Sequence, residues 1–258
     1  MAKPTQKQQR QQRQPTGHAW LRRTLAFLGL VAVAGLVYLG WRWQETLPVR
    51  AVTVSGAVHA DTTALLALAA VADSSMLFDL DPTILADRVQ RHPWVAEASV
   101  TRWMTGTVGI SVEERVPVAL VLDGSGRPTY FFDAAGFMMP LAPRTAYDVP
   151  LLQGHRWAFH PTQPTDDAAT LDLLAALAAL DEHTDALVSS IERTATGFVL
   201  TTSPGPTGAI PVALGRDGFG EKFQRLRAFW DQAVLSRPDT PVRRIDLRFD
   251  GQIVTQES

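Results

Sequence analysis

From Thr24 to Trp41 the chain is an uninterrupted apolar run, TLAFLGLVAVAGLVYLGW, without a single charge. At about 1.5 Å per residue such a run makes a helix of about 27 Å, close to the hydrocarbon thickness of a bilayer. A core helix of a soluble domain would interrupt the run with a polar face, and nothing amphipathic does so here. A cleaved signal peptide needs a shorter apolar core that ends at a small-residue site. The triplet Ala32-Val33-Ala34 would leave only Thr24 to Val31 as that core, and Gly40 is followed by Trp-Arg-Trp. The expectation is therefore one uncleaved transmembrane helix at 24–41. Trp20 flanks it on one side and Tyr38, Trp41 and Trp43 on the other, where amphipathic rings favour the headgroup level.

Charge orients the span. The tail, residues 1–23, carries Lys3, Lys7, Arg10, Arg13, Arg22 and Arg23 and no acidic residue, whereas only Arg42 and Glu45 closely follow the run. By the positive-inside rule the tail is cytoplasmic and the rest is exported. The stretch QKQQRQQRQ admits a nucleic-acid contact or a disordered topogenic tail, and short charged tails of this kind are ordinarily the latter. Residues 42–258 hold 18 basic against 26 acidic residues, a net charge of about −8. That balance argues against nucleic acid or anionic lipid as the exported part's ligand, since both reward clustered Lys and Arg. The chain has no cysteine, which excludes disulfides, thiolate nucleophiles and thiolate metal sites.

After a connector at 42–48, the pattern reads strand, helix, helix, strand, strand. Val52 and Val54 alternate in Val49 to Ser55, and Gly56 stops that strand. Asp61 or Thr62 caps an Ala- and Leu-rich helix containing Leu65, Leu66, Leu68 and Val71. Met76, Leu77, Phe78 and Leu80 read as core plugs. Asp81-Pro82 starts a second helix with Ile84, Leu85 and Val89, which stops before Pro93. Strands at Val95–Trp103 and Thr107–Val112 close the unit, the latter with Val108, Ile110 and Val112 on one face.

At this point the residues resemble a family. VRAVTVSG (49–56), LFDLD (77–81), HPWVAEASVTR (92–102) and SVEERVPVA (111–119) are similar to a POTRA domain of the FtsQ/DivIB cell-division proteins. The resemblance continues through Phe132-Asp133 with Gly136, VPLL (149–152) with Gly154, VALGR (212–216) and RIDLRFD (244–250). It implies an α+β protein: a basic tail, one span, a POTRA (βααββ) domain at 49–117, and a β-rich domain at 118–258 with a mixed or antiparallel sheet and flanking helices. It also implies a component of the bacterial divisome in the cytoplasmic membrane at the division septum. Such a component links early assembly to late septal peptidoglycan synthesis through FtsB- and FtsL-like partners. Where the family often places a Pro between the last two POTRA strands, this chain has Met104-Thr105-Gly106, which leaves the turn type open. Glu114-Arg115-Val116-Pro117 reads as a hinge between the domains or as a solvated loop.

In the second domain, strands at Val118–Leu122 and Pro128–Phe132 flank Asp123-Gly124-Ser125-Gly126, a hairpin signal. A helix is expected from Thr165 or Asp166 to about Glu182, with Leu171, Leu174, Leu177 and Leu180 on its apolar face. Strands follow at Val188–Arg193, Gly197–Thr202 and Ile210–Leu214. A helix at Phe219–Leu235 then docks Phe223, Leu226, Trp230, Ala233 and Val234 with Lys222 and Arg225 outside. Ile245, Leu247 and Phe249 alternate with Asp246 and Arg248 as a half-buried strand, and a short strand is expected at Gln252–Thr255.

Catalytic signatures are missing. The sequence contains no G-x-S-x-G, S-x-x-K, H-E-x-x-H or G-x-x-x-x-G-K-[ST]. His155, His160, Asp166 and Asp167 are metal-ligating types, but they fall in a Pro-rich polar stretch without an i,i+4 His pair. Glu113 with Glu114, and Asp166 with Asp167, are adjacent and so point apart or begin a helix. The reading is a membrane-anchored interaction protein without cofactor, metal, small-molecule substrate or nucleic acid. A POTRA-bearing export scaffold and a cell-wall enzyme with an unrecognised site are the alternatives. Against the former, transport POTRA domains come in series before a barrel, and no barrel-length strand set follows.

Two surfaces are candidate docking sites. One is the polar face of the second POTRA helix, with Asp87, Arg88 and Arg91, which reads equally as a solvated face. The other is the hairpin from Arg244 to Thr255. There the resemblance implies that an FtsB-type partner binds beside Arg248, Phe249, Asp250, Gly251, Gln252 and Ile253. The sequence stops soon after Val254, which leaves that strand as a template for β-addition. Arg248 and Asp250 would set register, Gly251 would admit a backbone, and Phe249 or Ile253 would anchor.

Overall fold

Helix α1 (His18–Gln44) carries the apolar run away from the rest of the protein, and none of its most apolar stretch, Trp20–Arg42, is buried against other residues. Leu, Val and Phe side chains along it are 45–69% exposed, the situation of a helix whose solvent is lipid. The computed structural model describes residues 18–44, 46–72, 74–142, 146–205, 208–236, 242–249 and 251–257. Lys3, Lys7, Arg10, Arg13, Glu45, Asp250 and the side chain of Trp43 lie outside what it describes.

A small sheet follows directly. Its elements in chain order are β1 (Ala51–Ser55), α2 (Thr62–Ala69), α3 (Pro82–Val89), β2 (Val95–Trp103) and β3 (Thr107–Glu114). The sheet order is β1-β3-β2, with β1 parallel and β2 antiparallel to β3. Both helices begin on a capping aspartate: the Asp61 and Asp81 carboxylates accept the Thr63 and Thr83 amides at 3.1 and 2.8 Å. Val108, Ile110 and Val112 alternate onto the helix-covered face with Leu65, Ala69, Leu85 and Val89. On the other face the Trp103 ring fills the space a side chain at Gly109 would take. Met76, expected in the core, is exposed, and so is Ile84 of the second helix. Met76 pairs its backbone with Pro48 at the rim of the domain, and Ile84 lies on the outer side of a two-turn helix whose Leu85 and Val89 face inward.

The second unit contains β4 (Pro117–Leu122), β5 (Pro128–Asp133), β6 (Met138–Pro140), β7 (Leu151–Gln153), α4 (Ala168–Ala178), α5 (Glu182–Asp185), β8 (Val188–Thr194), β9 (Gly197–Thr202), β10 (Pro211–Gly215), α6 (Phe219–Phe229), β11 (Val242–Asp246) and β12 (Val254–Glu257). Its nine-stranded sheet runs β12-β11-β10-β9-β8-β7-β4-β5-β6 and mixes parallel with antiparallel pairs. The fold is α+β. The helix expected at 165–182 is two: α4 begins after Asp167 and ends at Ala178, and Asp181 then caps α5 by accepting the His183 and Thr184 amides. Leu173 joins Leu174 and Leu177 in the core. β6 and β7 span three residues each, too short to show a period. α6 continues into a π-helical turn, Trp230–Val234, which keeps Trp230 and Val234 buried.

Lys222, expected outside, is buried. Its Nζ lies 5.9 Å from the centre of the Phe219 ring and donates to the Asp217 carbonyl at 2.6 Å, so the charge keeps a partner as the methylenes leave water. The strand expected at 245–249 ends at Asp246, and the last strand begins at Val254 rather than Gln252.

The two units share a core. Alternation along β4, β5 and β6 sends Ala119, Phe132 and Met138 to the helix side and Leu120, Phe131 and Met139 to the opposite side, against Trp94, Val95 and Tyr147. Trp94 Nε1 donates to the Pro140 carbonyl at 3.0 Å, and its ring stacks on His59 with centroids 5.1 Å apart. The Glu114 carboxylate accepts the amides of Val58, His59 and Ala60, each at 2.8 Å, and contacts His59 Nδ1 at 2.7 Å. One residue later the Arg115 guanidinium donates to Asp133 at 2.7 Å and lies 3.7 Å over the Phe137 ring. The connector read as a hinge or solvated loop is thus clamped on both sides.

Candidate partner-binding edge

β11 lies one strand in from the edge of the large sheet, pairing parallel to β10 at Val212 and Ala213, and the Leu247 amide extends that pairing by donating to the Ala213 carbonyl at 2.9 Å. The chain then turns back and β12 pairs antiparallel to β11, Asp246 opposite Val254 and Ile245 opposite Thr255. Opposite residues share a face, so Thr255 follows the buried Ile245 inward while Val254 follows Asp246 outward and stays half exposed. Among the described residues no strand neighbours the outer side of β12. Its main-chain groups on that side are a template for a further strand.

The turn between the strands is held from α6. Arg225 donates to the Phe249 carbonyl at 3.0 Å and to the Leu247 carbonyl at 3.5 Å, while its buried Nε meets no acceptor among the described residues. The Gln252 amide closes the turn onto the Phe249 carbonyl at 3.3 Å, and Gly251 has a φ of +67° with open space around it. The Arg248 guanidinium forks onto Asp246, with Nε 2.9 Å from Oδ1. That pairing holds the Asp246 carboxyl below the usual carboxylate range and raises the Arg248 guanidinium. Phe249, expected to alternate inward, is 52% exposed, because the ladder ends at Asp246 and the chain leaves the sheet before Phe249. Ile253 packs partly against the core. Beside it a groove of about 360 Å³ runs along the end of α6, lined by Arg225, Ala228, Phe229, Gln232, Ala233 and Ile253.

Of the residues chosen from the sequence, the five that are described therefore do not form a strand edge. Arg248, Phe249, Gly251, Gln252 and Ile253 lie in the connection, and the edge proper is Val254–Glu257. Arg248 is engaged by its own Asp246, leaving Phe249 and Val254 as the exposed apolar side chains. Arg225, Phe229 and Ala233 were missed as lining residues because they read as one docked helix. The only sequence signal would have been a wide apolar stripe continuing past Phe229 to Leu235, which is 52% exposed.

The second candidate surface divides too. Asp87 and Arg91 are exposed, but Arg88 is half buried and donates to the Ala69 carbonyl at the end of α2, at 3.4 Å. The metal-ligating types do not converge: among the described residues no group of three His, Asp or Glu side chains is placed to hold a metal. Asp167 pairs with Arg193 and with the Thr170 hydroxyl, and the His160 ring accepts the Thr162 amide.

Comparison with known proteins agrees with this architecture. A family described as "POTRA domain, FtsQ-type" matches residues 47–115, and one described as "FtsQ/DivIB, C-terminal related" matches residues 116–256. The cell division protein FtsQ of Rhodothermus marinus is 45% identical over 98% of this chain and 94% of its own length. That of Salinibacter ruber is 44% identical over 88% of this chain and 89% of its own length. That of a Geobacter species is 27% identical over 90% and 86%. With one apolar span, the two matched units in order and relatives aligned along nearly the whole chain, the protein belongs to the FtsQ/DivIB family of cell division proteins.

Proposed function

We propose that this protein acts as a membrane-anchored docking scaffold of the divisome, its tail in the cytoplasm and both folded units outside. Its mechanism is binding rather than turnover. Partners of the FtsB and FtsL type are held by strand addition to β12 at the septum, which couples early assembly to septal peptidoglycan synthesis. The observation that carries this reading is the outer side of β12, unpaired among the described residues, with Phe249 and Val254 exposed and a groove of mixed polar and apolar lining at Ile253. A strand added there gains main-chain hydrogen bonds for affinity, and a flanking segment gains the groove for selectivity. The domain limits near residue 117 and the contribution of Asp87 and Arg91 to recruitment are part of the same proposal.

The test is capture of an FtsB-type partner by full-length protein in detergent, comparing the wild type with the double variant Phe249→Ala, Val254→Lys. Both side chains are exposed, so the fold is kept, while a lysine on the edge opposes strand pairing. Capture falls by at least tenfold if the reading holds; undiminished capture by a variant with an unchanged melt overturns it. For orientation, an introduced Ser125→Cys should react with an impermeant maleimide from outside intact spheroplasts. Labelling only after lysis would reverse the topology.

A further inference from the structure

We propose that the tip of the β2–β3 hairpin, Trp103 and Met104, together with Met76, is a second membrane contact, seated in the headgroup layer of the bilayer that α1 spans. The sheet topology brings these residues to the side where the chain arrives from the membrane. β1 and β3 are parallel with Ala51 opposite Thr107, and Trp103 is opposite Thr107 across the hairpin, so the tip adjoins the start of β1. The incoming connector is tied to the same place. The Arg50 amide donates to the Gly106 carbonyl at 2.8 Å, the Val49 amide to Ser75 at 3.0 Å, and Pro48 bridges to Met76.

The tether is short. From Gln44, the last residue of α1, to Pro48 is four residues, which reach at most about 14 Å when fully extended. The hairpin tip therefore stays close to the headgroups. Three large apolar side chains are exposed on this one end: Trp103 at 47%, Met104 at 52% and Met76 at 36%. Tryptophan at the interface puts its apolar ring at the acyl boundary and its N–H toward water, and methionine adapts to an irregular surface. Trp103 is also fixed in place by its packing over Gly109, so little side-chain entropy is lost on contact. The exposed charges nearby are mixed, Arg50 against Asp79, so the contact rests on apolar burial and not on attraction to anionic lipid. Docked in this way, the POTRA unit would be held by two points, and its clamped partner unit would present β12 at a set height above the membrane.

The proposal rests on α1 spanning the bilayer, and the experiment separates the two. The chain lacks cysteine, so single cysteines at Met104→Cys, Met76→Cys, Val33→Cys and Ala178→Cys can each carry a nitroxide in full-length protein reconstituted into phosphatidylcholine vesicles. The readout is the ratio of oxygen to water-soluble nickel-chelate accessibility. Labels at 104 and 76 should give ratios several-fold above that at 178, on the exposed surface of α4, and below that at 33 in the span. Ratios at 104 and 76 equal to that at 178, with 33 deep in lipid, overturn the proposal while leaving the span intact; a water-like ratio at 33 overturns the span itself. A label at 104 that is shielded from both reagents and shows spin–spin broadening relieved by unlabelled protein means that a second copy sits there, which also overturns the proposal. Ratios that rise only when anionic lipid is added overturn its apolar basis.

Discussion

Replacing Glu114 by alanine should release the 58–60 segment, whose His59 ring meets Trp94 and Tyr147 at the seam between the two units. The carboxylate holds three consecutive amides, those of Val58, His59 and Ala60, at 2.8 Å each, and its side chain is only 11% exposed. A hydrogen bond to a charged group contributes about 1.5–3 kcal/mol, and an amide left without an acceptor adds its desolvation cost. Water reaches Val58, which is 79% exposed, so that bond counts for little. The remaining two give about 3 kcal/mol, or about 6–12 °C in Tm for a folded part of about 200 residues. Glu114→Gln keeps one acceptor oxygen and should lose about half as much. Burial pushes the Glu114 carboxyl up, but the Ala60, His59 and Val58 amides and the His59 ring outweigh it and hold it below the ordinary glutamate value. A group whose native value is depressed stabilises above its unfolded value, about 4.3, and that contribution disappears as pH falls through the native value. The gap between wild type and Glu114→Ala should therefore be constant from pH 7 to about 5 and narrow below about 4. Thermal melts of full-length protein in detergent, followed by near-UV circular dichroism across that range, measure it. A gap below 1 °C at pH 7, or one that widens with acid, refutes the reasoning.

Three further outcomes follow from named contacts. Trp94→Phe keeps most of the ring but deprives the Pro140 carbonyl of its donor, and should cost about 1–2 kcal/mol in the same melts. Gly106→Ala forces a side chain onto a residue with φ +88°, with its Cβ only 2.8 Å from the Pro48 carbonyl oxygen, and should destabilise by about 2 kcal/mol or more; an unchanged melt would show that the turn relaxes. Arg225→Met removes the donor to the Leu247 and Phe249 carbonyls, and should weaken partner capture several-fold while lowering Tm by only a few degrees.

Much of this architecture was legible in residue order. The apolar run marked a span because no soluble fold leaves such a helix uncovered, and the strands read at Val95–Trp103, Thr107–Val112 and Gly197–Thr202 match β2, β3 and β9 to within two residues. Asp61 and Asp81-Pro82 marked helix starts because a cap acts within one turn of chain. What stayed hidden depends on which segments meet. β6 and β7 become strands only because β5, β4 and β8 offer them partners. The proposed docking edge shows the same division. RIDLRFD pointed to the end of the chain, but the hold of Arg225 on the Phe249 carbonyl and the groove beside Ile253 depend on α6, which lies some twenty residues earlier in the chain. Local sequence determined helix caps, strand period and the membrane span, since those interactions act over a few residues. Tertiary contact alone decided the clamped seam and the shape of the edge, since residues as distant as His59 and Tyr147, or Arg225 and Phe249, come together only when the chain packs.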